Sequence, residues 1–244
     1  MNKRILPFIL IAIIAVGLFS CNRKKDTTVN ISNVYFPLEF GRYITYDVDS
    51  VIWSSFDCNN NVRTSKCQMR YTVADTFRDD QDRLSYRIEV MKRLRDTMSW
   101  EPFKVMYATI TPASVEVVES NFRFIKQVLP VKNGITWKGN TYISGGDADN
   151  LGFTDWNYLY SNVGEPYANG RANFDNTVVV DQVNDGINYD PADSSSASYG
   201  DRTYAVEVYG YNIGMVFREV TRWVRQPGSC RDGFSVTMRA IDYN

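Results

Sequence analysis

The sequence predicts an all-β fold. A single antiparallel domain, built as a strongly curved sheet or open barrel, is the first expectation, and a two-layer β-sandwich is the second. Three observations carry this. Apolar and polar residues alternate with period two over many short runs, as in Tyr43-Ile44-Thr45-Tyr46-Asp47-Val48, and such alternation marks half-buried strands. Clusters of Gly, Pro, Asn, Asp and Ser separate the runs, which is how turns are punctuated. The 16 Tyr and 5 Trp lie mostly inside the runs, where aromatic and β-branched side chains suit a pleated surface. No helical period extends beyond two turns.

At the amino terminus, Lys3 and Arg4 precede an uncharged stretch over residues 5–19, with Pro7 its sole helix breaker. A positive start followed by an apolar core of this length has the layout of a secretory signal peptide. A transmembrane helix needs about 20 apolar residues. The segment closes on Leu18-Phe19-Ser20-Cys21. An aliphatic residue three before, a small residue one before and then the cysteine resemble the lipobox of bacterial lipoproteins. That resemblance implies cleavage ahead of Cys21, a diacylglycerol on its thiol and an acylated new amino terminus. One acyl chain binds a membrane only marginally, at about 0.8 kcal/mol per buried methylene, so two or three chains make a stable anchor.

The expected plan is a signal peptide over 1–20, lipidated Cys21 with a polar tether over 21–32, and one β-rich domain over 33–244. Asn22 stands where an Asp would resemble an inner-membrane retention signal. Arg23-Lys24-Lys25 lacks the acidic residues that resemble a surface-export tag. The expected location is therefore the outer membrane, lipid-anchored on its periplasmic face.

The domain opens at Tyr35-Phe36-Pro37-Leu38. A first strand places Ile44, Tyr46, Val48 and Ile52 opposite Asp47 and Asp49, and a second places Cys67, Met69, Tyr71 and Val73 on one face. After the acidic turn at Asp79-Asp80-Gln81-Asp82, alternation resumes at Leu84, Tyr86, Ile88 and Val90, which together read as a meander. Further strands are expected at 103–110, 114–119, 122–129 and 135–143. Residues 144–175, rich in Gly, Asn, Asp and aromatics, read as a long irregular region. A strand over 176–183, a surface loop over 184–202, and strands over 203–211, 213–225 and 234–242 complete the chain.

Composition excludes several chemistries. The chain has no histidine, which removes the usual Ser-His-Asp and Cys-His nucleophile systems and His-containing zinc sites. Loss of Lys3 and Arg4 with the leader leaves 25 basic residues against 28 acidic, a net charge of −3. Nucleic-acid binding wants a concentrated basic patch, so no nucleic-acid partner is expected. With Cys21 carrying lipid, Cys58, Cys67 and Cys230 remain. Cys58 and Cys67 bracket a polar loop between two strands, so a bridge across the hairpin mouth is the first expectation; a bridge from Cys230 is the second. No C-x-x-C spacing supports a metal site, and no cofactor is expected.

Three groups deserve weighing as sites. Asp147-Ala148-Asp149-Asn150-Leu151-Gly152 partly matches a calcium loop, but Leu151 and Tyr158 stand where a central ligand and the bidentate glutamate belong; a solvated turn is expected. Glu207 and Glu219 lie on adjacent strands, and a glycosidase needs two carboxylates about 5–9 Å apart. Alternation sets Glu207 against Val206 and Val208, so an exposed charged face is expected there. Trp156, Tyr158, Tyr160 and Tyr167 form the best ligand or partner patch, because aromatic rings offer flat apolar faces with a polar edge.

Phe36-Pro37-Leu38 with Gly41, the run Gly214-Met215-Val216-Phe217-Arg218-Glu219, and the ending over 234–242 resemble uncharacterised small outer-membrane lipoproteins of Bacteroidota. The resemblance covers most of the mature chain and implies a localisation and a β-rich fold, with no activity. The expected function is a non-enzymatic binding or assembly module of the cell envelope. Its partners would be the membrane, through the lipid, and other envelope proteins or glycans. A carrier of an apolar ligand inside the curved sheet is the alternative, and an enzyme acting on envelope glycans is third.

Overall fold

The alternating runs fold as twelve antiparallel strands, seen in a computed structural model that describes residues 34–146, 152–154, 156–189 and 198–244. They belong to one compact unit, Ile31–Asn244. In chain order the strands are β1 (Tyr43–Trp53), β2 (Val62–Arg78), β3 (Leu84–Arg93), β4 (Glu101–Ile110), β5 (Ser114–Glu119), β6 (Phe122–Val128), β7 (Thr136–Trp137), β8 (Tyr158–Ala168), β9 (Asn173–Ile187), β10 (Gly200–Gly210), β11 (Gly214–Arg225) and β12 (Arg231–Tyr243). The expected signal peptide, the expected lipid site at Cys21 and the expected tether lie outside the described residues, as do 147–151 of the Asp/Asn turn.

The strands form one sheet in the order β6-β5-β4-β3-β2-β1-β12-β11-β10-β9-β8-β7. Consecutive strands therefore pair, except β6 with β7, and β1 also pairs with β12. Bulges at Thr45/Tyr46, Val73/Asp75, Val90/Met91, Ala205/Val206 and Val208/Tyr209 bend and twist the strands, curling the sheet until it nearly closes as a barrel.

The gap falls between β6 and the very short β7. Here the backbone N–H of Ile125 donates to the Gly139 carbonyl at 2.8 Å, and the Trp137 indole donates to the Ile125 carbonyl at 2.8 Å. The Tyr160 hydroxyl accepts from the Val128 N–H and donates to the Val128 carbonyl, both at 2.9 Å. Side chains thus satisfy backbone groups that an open sheet edge would leave bare.

Period-two alternation divides the residues between lumen and exterior. Tyr46 and Val48, Tyr71 and Val73, Ile88 and Val90, Met106 and Ala108, Val115 and Val117 point inward and pack together. At one end, residues 34–38 close the barrel. Phe36 packs on Tyr209 with ring centres 5.7 Å apart, Leu38 joins the Val73–Ile88–Met106 cluster, and the Tyr35 hydroxyl donates to Asn176. Outward positions carry Asp47, Asp49, Arg70, Arg87, Glu89 and Arg239, paired as Lys66–Asp49, Arg239–Asp49, Arg171–Asp47 and Arg87–Glu89. Such charges are destabilising on a lipid-facing barrel wall; this exterior suits water.

Three expected strand and loop assignments need correction. The strand expected over 135–143 is only Thr136–Trp137. Beyond it the chain bends at Gly139, where a β-carbon would sit 2.3 Å from the Tyr158 ring. Residues 144–175 are not irregular throughout, because β8 and most of the β8–β9 hairpin lie there. Asn162 and Gly164 adopt φ of 51° and 85° within the register shift between Ser161 and Glu165, and that kink hid the alternation. The loop expected over 184–202 is shorter, since β9 runs to Ile187 and β10 begins at Gly200.

The disulfide joins Cys58 to Cys230, and Cys67 is free. Cys67 sits within β2 opposite Val48, five residues beyond the last β1–β2 pair, Trp53 with Val62. At about 3.3 Å per residue this places it far outside the span of a disulfide with the hairpin loop. Because β1 also pairs with β12, Trp53 with Gly233, the β1–β2 loop and the β11–β12 turn are neighbours. Sheet order therefore brings Cys230 to Cys58.

Candidate functional site

An eight-stranded barrel is just wide enough to fill with side chains, while sixteen strands leave an aqueous channel. With twelve strands the lumen is too wide for small aliphatic residues alone. Large side chains occupy it: Tyr46, Tyr158, Tyr160 and Tyr209 are all fully buried. Across the middle runs a layer of charges contributed by five strands, Lys104 from β4, Glu119 from β5, Lys126 from β6, and Glu207 with Arg218 from the paired β10 and β11.

Each carboxylate in this layer is held on several sides. Glu207, 1% exposed, accepts from the Lys126 ammonium at 2.6 Å, from the Tyr209 hydroxyl at 2.6 Å, and lies 3.5 Å from the Arg218 guanidinium. Glu119 accepts from Arg218 at 3.2 Å and from Lys104. Burial by itself raises the Glu207 carboxyl, but Lys126 and Arg218 outweigh it and hold it below the usual carboxylate range. Burial also opposes ionisation of Glu119, and Arg218 with Lys104 again overcomes it, well below the usual range. Burial, then the charge of Glu207, pushes Tyr209 far above the ordinary phenol value. The carboxylates stay ionised and the phenol protonated. A general acid needs the opposite shift, a raised carboxyl, which neither Glu119 nor Glu207 shows.

The layer separates two spaces. Toward the closed end, beneath residues 36–38, a small void of about 90 Å³ reaches Tyr46, Ile88 and Met106. On the other side is a cavity of about 310 Å³. One wall is aliphatic, from Val48, Met69, Val220, Val236 and Met238; the other is aromatic, from Tyr71, Phe124, Phe153, Trp156 and Tyr158. Its inner end is formed by the charged layer. Thr203, Thr221, Arg222 and Phe234 lie at the outer end, where Phe234 is 40% exposed. Phe153 is fixed edge-on by Phe124 and Trp156, with ring centres 5.6 and 5.3 Å away. The Trp156 indole donates to the Gly152 carbonyl at 2.8 Å.

The aromatic set expected to form one patch is divided. Trp156 and Tyr158 are buried, line the cavity and face inward. Tyr160 is buried at the β6–β8 seam. Tyr167 lies apart, on the tip of the β8–β9 hairpin, packed on Phe217 with ring centres 5.6 Å apart, and burial pushes its hydroxyl up to about 12. Three of the set's four members are interior, so the set does not form one exposed surface patch. The expected exposed charged face at Glu207 is also corrected. Its face is the lumen, and the apolar set points outward, with Val208 covered by the hairpin residues Tyr167 and Phe174. Glu207 stands opposite Arg218 across β10 and β11, so neighbouring Glu219 faces the other side of the sheet. The pair does not converge.

Sequence reasoning missed Lys104, Glu119, Lys126, Arg218 and Gln182. The signal was present in part: Phe122-Arg123-Phe124-Ile125-Lys126 carries charge at both parities, so one basic residue must face inward. Among the described residues, no three Cys, Asp or Glu side chains gather as a metal set. Comparison with protein-family models, with curated proteins and with solved structures found no match to this chain.

Proposed function

We propose that this protein is a carrier, tethered to the outer membrane by lipid on Cys21 and holding one small, largely apolar molecule inside its barrel without chemical change. The observation that supports this is the cavity of about 310 Å³ with aliphatic and aromatic walls, a volume within the roughly 300–1,000 Å³ of small-molecule sites. The docking-module reading loses ground because three of the four residues it rested on are interior, and the glycan-enzyme reading loses its carboxylate pair. Localisation at the periplasmic face rests on the lipobox resemblance. Cys21→Ala should move the protein from the membrane to the soluble fraction, and continued membrane residence would contradict the anchor.

The carrier is tested with N-phenyl-1-naphthylamine, a neutral probe that fluoresces in apolar surroundings. Its emission should rise and saturate at one probe per protein. Met69→Trp, which fills the cavity wall, should weaken binding at least tenfold in a variant whose circular dichroism and cooperative melting show it folded. Absence of saturable binding, or binding indifferent to Met69→Trp, would remove the carrier reading.

A further inference from the structure

Resting on the carrier reading, we propose that the ligand class is an amphiphilic monocarboxylate, seated with its head inward at Gln182 and the charged layer and its apolar tail toward the Phe234 end. Gln182 occupies an unusual place in β9. Ala205 pairs with Val183 and Val206 with Asp181, so Gln182 is the extra residue of a β-bulge, a device that re-aims a side chain. It lines the cavity at 3% exposure, and its amide Nε2 has no hydrogen-bond partner among the described residues. Burying a donor without an acceptor is unfavourable. A ligand oxygen supplies what the protein leaves out.

The charge of that oxygen follows from the adjoining layer. Val180, two residues along β9, stands opposite Glu207, so the layer begins about 7 Å further in along the strand. It holds three cations, Lys104, Lys126 and Arg218, against two carboxylates, Glu119 and Glu207. Among the described residues one positive charge is in excess, with Lys126 and Glu207 buried and Lys104 and Arg218 partly exposed, and an uncompensated charge beside an apolar cavity is costly. A carboxylate supplies one negative charge and two acceptor oxygens. A phosphate monoester carries about −1.5 to −2 at neutral pH, more than the excess. The remaining lining, including Met69, Trp156, Val220 and Met238, suits the tail.

The test displaces bound N-phenyl-1-naphthylamine with dodecanoate, 1-dodecanol and dodecyltrimethylammonium, which share a tail and differ in head. Dodecanoate should displace the probe at concentrations at least tenfold below dodecanol, and the ammonium should not displace it. Equal potency of acid and alcohol would overturn the head-group proposal while leaving the carrier intact; failure of the naphthylamine itself to bind would remove the carrier. In Gln182→Leu, dodecanoate affinity should fall at least tenfold, naphthylamine affinity should hold, and the ligand-free protein should melt at a higher temperature. Unchanged dodecanoate affinity, or a lower melting temperature marking Gln182 as a structural residue, would overturn the proposal.

Discussion

Glu207→Ala is expected to destabilise the barrel by about 3–5 kcal/mol, the usual effect of removing one member of a buried ion pair. The variant leaves Lys126, whose side chain is 6% exposed, without the carboxylate 2.6 Å away, and leaves the Tyr209 hydroxyl without its acceptor. Glu207→Gln should lose less, because its single amide oxygen still accepts from one of the two donors, which sit on separate carboxylate oxygens. The control is Lys126→Met with Glu207→Met. Replacing both charges by apolar groups of similar volume is often near neutral, so the double variant should recover stability relative to Glu207→Ala. Urea unfolding midpoints provide the measurement. A loss below about 1 kcal/mol for Glu207→Ala would show that the layer is not dry.

The same layer sets an acid limit. Glu119 and Glu207 both have folded values below the unfolded one, which for glutamate is about 4.3. Their stabilisation is therefore complete above that value and is lost as pH falls through it toward the folded ones. Stability contributed by these groups should be level from about pH 5 upward and decline below about pH 4. Glu207→Gln should make that decline shallower.

Removing the disulfide has the other large expected effect. Cys58 and Cys230 are 172 residues apart, so the bond restricts most of the unfolded domain. In the chain-entropy account a loop of about 100 residues already gives about 4.7 kcal/mol. Cys58→Ala with Cys230→Ala should lower stability by about 3–5 kcal/mol. The folded structure should survive, since Ser55 still donates to Asp232 through its hydroxyl at 2.6 Å and its backbone N–H at 3.2 Å, holding the same loops together. Denaturation without reductant measures it, and a loss below about 1 kcal/mol would contradict the expected constraint on the unfolded chain.

The curved antiparallel sheet was legible because period-two alternation survives in most strands, from Tyr43 to Val48 and again from Tyr204 to Tyr209. It failed where bulges changed parity. Asn162 and Gly164 read as loop residues, yet they bend β8 without ending it. The Cys58–Cys230 bond required knowing that β1 lies between β2 and β12, a non-local fact that spacing along the chain does not carry. Glu207 was misassigned because its strand is buried on both faces, the lumen on one side and the β8–β9 hairpin on the other. Trp156 and Tyr158 were rightly singled out as aromatic wall residues. Which way they faced depended on a barrel that no local pattern specifies. The charged layer needed all of its strands in place before its members met.

The central claim is that a ligand sits within the lumen, and methionine methyl groups report on it directly. Met69 and Met238 line the cavity, whereas Met98 is exposed. With 13C-methyl methionine, added dodecanoate should shift the Met69 and Met238 resonances, show cross-relaxation between them and the ligand tail, and leave Met98 unmoved. Shifts confined to Met98, or none at saturating dodecanoate, would contradict an occupied interior.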